Sequence, residues 1–298
     1  MAAPSIGDGQ YSVDAGRLGE RLGLTALLAP TYTVLTVAIF VPLLIMVVFS
    51  LLSNVPFGGR HAAFTLDQYA SYWTSSTYRY LTERSLILGA HVTLGCILLG
   101  FPLAYVLARN VPGRWREALF MLVILPFWSN SVVRTYSWVI VLQDRGPLGR
   151  LVDMVVPGRH LGLLFTYPAI VVGMVHSYLP YVVLTLYVSL QAIESQIFEA
   201  ATTLGAEGWQ IFWRITLPLS VPGLIAGSIL TFIPVTGSFF EPRLLGGMAG
   251  TVIGTVIEDQ FVTIFNWPFG AAIAFSLLLV LLVLMGLLAY LRSRLARA

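Results

Sequence analysis

The sequence predicts an all-α integral membrane protein with six transmembrane helices, and three observations carry that expectation. The chain of 298 residues is 57% hydrophobic, with a mean hydropathy of +0.83. Only 10% of its residues are charged, against about 25% in soluble domains. The charges are also clumped, leaving uncharged runs over 22–59, 85–108, 160–193, 215–240 and 260–291. Each run can hold a span of about twenty residues. Lipid offers the backbone no partners, so such runs satisfy their own hydrogen bonds as helices. The alternating pattern of an outer-membrane barrel is absent.

Taken in order, residues 1–25 are polar and read as a cytoplasmic tail. The first span, near 26–52, is longer than a signal-peptide core and is expected to stay as an anchor. The second, 85–108, holds Cys96, the only cysteine, so no intramolecular disulfide or thiolate cluster is expected. The third, 118–142, is interrupted once, by Arg134. The fourth, fifth and sixth fall near 168–190, 219–240 and 269–291, closing a transmembrane domain over 26–292 and leaving 293–298 as a second tail.

All seventeen basic residues are arginine, and their density sets the expected orientation. Nine lie on one side: Arg17 and Arg21, Arg109, Arg114 and Arg116, Arg214, and Arg292, Arg294 and Arg297. Seven (Arg60, Arg79, Arg84, Arg145, Arg150, Arg159 and Arg243) lie in the longer loops of the other side. The bias places both termini in the cytoplasm and turns 53–84, 143–167 and 241–268 outward. The arginines are scattered rather than gathered in a patch, which gives no sign of nucleic-acid binding.

The loop between the fourth and fifth spans, about 191–218, exceeds what a turn between helices needs. "AIESQIFEAATTL" (192–204) holds helix formers without proline, and Gly205 follows where a left-handed residue can stop the helix. Glu207 suits the positive end of a second short helix, which Leu217-Pro218 is expected to end, since proline fits the first turn of the next helix. Ala200 and Ala201 leave one face bare. The residues alone leave two readings open: a helix pair seated in a groove of another protein, or an amphipathic helix among lipid headgroups, which Trp209 and Trp213 would suit.

Glu199-Ala200-Ala201, Gly205, Ile215, Leu217 and Pro218 match the motif EAA-x3-G-x9-I-x-LP at every specified position. The loop resembles that of permease subunits in binding-protein-dependent ABC importers. "LPFWSNSVVRTYSWVIVL" (125–142), "GSILTFIPVTGSFFEPRLLGG" (227–247) and "IGTVIEDQFVTIFNWPFGAA" (253–272) further resemble the spermidine/putrescine permease branch, specifically the first of its two permease subunits. The resemblance implies a type I importer permease fold in the bacterial inner membrane. It also implies a distinct second permease, two ATP-binding subunits and an extracytoplasmic substrate-binding protein as partners. The loop would be the coupling helix docked on the ATPase, with Glu199 facing it and Gly205 providing the bend.

No catalytic constellation stands out. A P-loop needs a lysine and the chain has none; His61, His91, His160 and His176 show no metal-ligand spacing. No cofactor or metal is expected. A stand-alone secondary transporter would place acids within its spans or show internal repeats, and neither is visible.

For the translocation pathway the sequence offers candidates on the third span and beyond. Arg134 is costly in a membrane, by about 2.5–3.5 kcal/mol on an insertion scale, so it either lines the pathway or ties the span to carbonyls or to an acid such as Glu241. Trp128, Tyr136 and Trp138, read as one helix, could hold alkylammonium groups or simply pack. Ser129 and Asn130 are polar and follow Pro126. On the fifth span Ser238 stands directly after the glycine, where relatives carry an acid, and Glu241 lies three residues on. Glu241, Glu258 and Asp259, the last two expected in the outer loop, could attract a polyamine or meet the binding protein. Arg134 and Ser238 instead suit an amino-acid derivative or organic anion.

Overall fold

The computed structural model describes residues 9–54, 62–156 and 162–295. Arg60, His61, Arg159, His160 and Arg297 lie outside the described residues, as do the side chains of Arg17, Arg21, Arg292 and Arg294. Among the described residues the regular structure is helical, and extended pairing is confined to one antiparallel bridge between Leu52 and Phe64.

Helix α1 covers Gly9–Ser50, so the polar residues from Gly9 onward are helical and continuous with the first span. Short α2 (Asp67–Thr74) precedes α3 (Ser76–Tyr105), whose last turn widens into a π turn over Val106–Asn110. Then come α4 (Gly113–Trp128), α5 (Ser131–Leu142), α6 (Pro147–Val155) and α7 (Tyr167–Gln191). Short helices α8 (Ser195–Thr203) and α9 (Gly208–Ile211) lead through a second π turn, Phe212–Thr216, into α10 (Leu217–Gly237). The chain closes with α11 (Phe240–Gly246), α12 (Ile253–Val262) and α13 (Trp267–Leu295).

Five of these segments are long and apolar enough to cross a membrane: 28–50, 76–110, 167–191, 208–237 and 267–290. The expected third span is not one helix. It is α4 and the segment from Ser131 to Val155, bent by 94°. The break follows from local chemistry. Ser129 and Asn130 are extended, and the Asn130 side chain accepts from the Val132 amide at 2.8 Å, capping α5. Pro126, with no N–H to give, sits in the last turn before the break. Trp128 therefore ends α4, while Tyr136 and Trp138 belong to α5.

Two other expectations change. The segment 241–268 is not an open loop: Glu258 and Asp259 stand on α12, and the segment is fastened to α3. There Arg84 donates to the Ala249 carbonyl, and the Ile253 amide donates to Ser85 Oγ at 3.0 Å. Leu217-Pro218 does not end the second short helix either. The Leu217 amide bonds the Phe212 carbonyl, five residues back, and the chain runs on into α10. The wider π turn relieves the clash that a proline ring makes with the preceding turn.

The core is α3, α7 and α10, where Val92, Cys96, Met174, Val182, Val183, Leu186 and Leu190 are fully buried. Small residues set the approach of α10 to α7: a Cβ at Gly223 would lie 2.5 Å from the Thr185 carbonyl oxygen and from Ser189 Cβ. A second cluster joins Tyr72, Ile253, Phe269, Ile273 and Leu277 across α2, α12 and α13. Helix α1 packs on α13, with Phe49 edge-on to Trp267 at 5.7 Å, and leaves Phe40 and Leu44 outward. Such an apolar face suits lipid rather than water.

Candidate functional site

The 191–218 segment forms two short helices at the end of α7. Gly205 has φ +83°, and the two bonds of a Schellman stop are present: Gly205 N–H to the Thr202 carbonyl at 2.9 Å and Ala206 N–H to the Ala201 carbonyl at 3.0 Å. Glu207 then caps α9 in a box with Gln210, whose side-chain oxygen accepts from the Glu207 amide at 3.2 Å. The motif residues divide by exposure. Glu199, Ala200, Gly205 and Pro218 are exposed, whereas Ala201, Ile215 and Leu217 are half-buried, Leu217 against the main core. Leu204, at 88% exposure, and Trp209 present apolar surface beside them. Trp209 stacks on Phe212, Trp213 meets both rings edge-on, and Phe212 meets Phe101 of α3 edge-on at 5.6 Å.

A residue counted in the sequence only for its charge anchors this assembly. Arg109, on the first π turn, donates through Nη2 to the carbonyls of Leu190 (2.9 Å) and Ile193 (2.8 Å), and its guanidinium lies 4.1 Å from the centre of the Phe198 ring. It adds a donor to the Leu190 carbonyl at the end of α7, which also accepts from the Ile193 amide at 3.4 Å, and to the Ile193 carbonyl just beyond it, and it meets α8 by cation–π contact. The signal that could have found it is its place about two turns past Pro102-Leu103, where a helix end meets the head of the loop.

The second set of residues surrounds the break between α4 and α5. Arg134 Nη1 donates to the Pro126 carbonyl at 2.6 Å, one of the acceptors the break frees. The Ser129 hydroxyl bonds the same carbonyl at 2.7 Å. Trp138 donates to His176 Nδ1 at 3.2 Å and sits edge-on to that ring, while Trp128 and Tyr136 face outward. The three aromatic candidates do not meet.

Two cavities adjoin the break. One, of about 350 Å³, is bounded by Ser129, Arg134, Ser137, Trp138 and His176. The other, of about 340 Å³, brings Ser129, Ser131 and Arg134 against Ser177, Tyr178 and Tyr181 of α7, Phe127 of α4 and Glu241 of α11. Glu241 is 8% exposed, and Ser238 donates to its Oε2 at 2.5 Å. Phe127, Ser131, Ser177, Tyr178 and Tyr181 are the lining residues that sequence reasoning missed. Their signal is visible in "HSYLPY" (176–181), a polar patch around Pro180 in an apolar span.

Glu258 and Asp259 are not free carboxylates. Arg243 pairs with both, at 2.6 Å and 2.7 Å; the Glu258 contact is an ion pair without an aligned hydrogen bond. Of the three acids expected near the mouth, Glu241 alone faces the cavity. Among the described residues no three His, Cys, Asp or Glu side chains gather as metal ligands. His91 instead shares a hydrogen bond with the Tyr167 hydroxyl at 2.8 Å.

Residues 100–297 match the family described as "Binding-protein-dependent transport system inner membrane component". The chain is 37% identical over 248 residues to the spermidine/putrescine transport system permease protein PotB of Escherichia coli (strain K12), covering 83% of this chain and 90% of that one. It is 34% identical over 259 residues to PotB of Haemophilus influenzae, covering 86% and 88%. Among solved structures, a bacterial ABC transporter involved in the import of the acidic polysaccharide alginate superposes with a TM-score of 0.74 at 20% identity, covering 94% of this chain and 98% of that chain; at that identity the likeness concerns the fold alone. The match over most of the chain, together with a multi-pass helical fold, makes this protein a member of the family of inner-membrane components of binding-protein-dependent transport systems.

Proposed function

We propose that this chain forms half of the translocation pathway of an ABC importer for polyamine-like organic cations, and that α8 and α9 couple it to ATP hydrolysis in a partner subunit. The observation that carries the reading is the 34–37% identity to spermidine/putrescine permease proteins over more than four-fifths of the chain. Its chemistry is consistent: the chain lacks the lysine of a P-loop, so the nucleotide belongs to another subunit. The exposed face of Glu199, Ala200 and Leu204 offers a short helix to a groove. Bonding of α8 to α7 through Arg109 gives a push on that helix a rigid route into the core. In this reading the termini and 191–218 face the cytoplasm, and 53–84, 143–167 and 241–268 face the binding protein. Membrane lipid surrounds α1 and α13.

The test is reconstitution in proteoliposomes with the second permease, the ATPase and the binding protein, followed by uptake of labelled putrescine, spermidine, an amino acid and an organic anion. ATP-dependent uptake of the polyamines alone, lost when the second permease is left out, is expected. Uptake of an anion or zwitterion with no polyamine transport would overturn the substrate class. Full uptake by this chain and ATPase without a second permease would overturn the paired pathway.

A further inference from the structure

Two interruptions of helical backbone face each other across the middle of α7. One is the Ser129–Asn130 break between α4 and α5; the other is the turn at Ser238 and Phe239 between α10 and α11. Tyr178 lies eleven residues into α7, roughly 16 Å along it at 1.5 Å per residue. Irregular backbone at membrane depth is tolerated where it is buried or lines a cavity, and the 340 Å³ cavity occupies this place.

Its chemistry is asymmetric. Glu241 Oε2 accepts from Ser238, and Oε1 has no hydrogen-bond partner among the described residues. No arginine or histidine comes within ion-pairing distance of Glu241 among them, since both ion pairs found are made by Arg243 with other acids. A carboxylate that is more than nine-tenths buried, lines a cavity and has no cation beside it is a place where a cationic or donor partner gains most. Beside it the rings form a continuous wall: Phe127 meets Tyr181 edge-on at 4.4 Å, and Tyr181 stacks with Tyr178 at 6.0 Å. Aromatic faces attract ammonium groups and accept methylene stems. Arg134 lines the same cavity without pairing with Glu241, its guanidinium held by the Pro126 carbonyl.

We propose that Glu241, Tyr178, Tyr181 and Phe127 form a subsite for a primary alkylammonium group within the pathway, with Arg134 weakening its hold so that the cation moves on. This rests on the importer reading above and adds where in this chain the cation pauses. Transport needs a site strong enough to enter and weak enough to leave; a carboxylate and a guanidinium lining one cavity supply both.

The experiment uses the complete reconstituted importer and labelled putrescine. Glu241→Gln removes the charge with little change of shape. It is expected to lower uptake about tenfold, the scale of one charged hydrogen bond, while ATPase stimulation by loaded binding protein stays within about twofold. Ser238→Asp added to Glu241→Gln returns a carboxylate to the same spot, because Ser238 Oγ already sits 2.5 Å from the Glu241 carboxylate, and is expected to restore uptake. Tyr181→Leu should lose about threefold, the low end of a cation–π contact, and Tyr181→Phe, which keeps the ring face, should lose less than Tyr181→Leu. Normal uptake by Glu241→Gln overturns the subsite. So does failure of the double variant to recover, since that outcome marks the Ser238–Glu241 bond as structural. If Glu241→Gln does not assemble, the double variant alone decides. Absence of polyamine uptake by the unmodified importer, with another solute transported, defeats the substrate reading instead.

Discussion

Replacing Gly205 by Asn, Ala and Val is expected to weaken coupling in that order without stopping membrane insertion. At φ +83° an L-residue bears a left-handed penalty of roughly 1–2 kcal/mol. The space around the position is empty, since a Cβ there meets nothing within 4 Å, so no neighbour adds a clash. Ala recovers about 0.4–1 kcal/mol by restricting the unfolded chain, leaving a net loss near 1 kcal/mol. Asn tolerates the left-handed region and should lose least. Val, being β-branched, is a true outlier there and should lose about 2 kcal/mol or more. At about 1.4 kcal/mol per tenfold, the Val protein would hold its Schellman stop more than tenfold less often. Hydrogen exchange reads this directly, because the Gly205 and Ala206 amides are the donors of that stop. ATPase stimulation in the assembled importer should fall in the same order. A Gly205→Val protein with unchanged exchange and normal transport would refute the reasoning, because a strained stop cannot then be what shapes the loop.

Arg109→Met takes the side-chain donor from the Leu190 and Ile193 carbonyls and the cation–π contact from α8, and should destabilise the chain by about 2 kcal/mol. Arg109→Lys should recover part of this, with thermal unfolding in detergent and ATPase coupling both measured. Arg243→Gln should cost about 1–3 kcal/mol, because the Asp259 pair is partly exposed but the Glu258 oxygen that Arg243 covers is buried and loses its partner. It should also make uptake more sensitive to ionic strength, by freeing Glu258 and Asp259 on the face turned outward in our reading; an uptake–salt curve identical to that of the unmodified importer would count against that role.

The spans were legible in the sequence because burial in lipid needs only apolar length, and the helix–turn–helix shape of 191–218 was legible because its motif is local. Gly205 illustrates this: a helix stop depends on a few neighbouring residues, so the left-handed turn could be expected before any fold was known. Uncharged length, however, does not encode a bend. The 94° break at Ser129–Asn130 arises from a cap, a proline and a guanidinium that acts on a carbonyl eight residues back, and hydropathy is blind to all three. Charge pairing was equally hidden. Arg243 is sixteen residues from Asp259, and only the packing of α11 beside α12 made one arginine serve two acids, leaving Glu241 as the acid that faces the cavity. Arg109 reaches carbonyls more than eighty residues away, a distance across which sequence pattern carries no register. What the sequence by itself determined was therefore what lies within a helix or a turn, where spacing fixes geometry. The tertiary structure decided which side chains from separate helices meet, because that depends on how α3, α7 and α10 pack and on where the broken helices end against them.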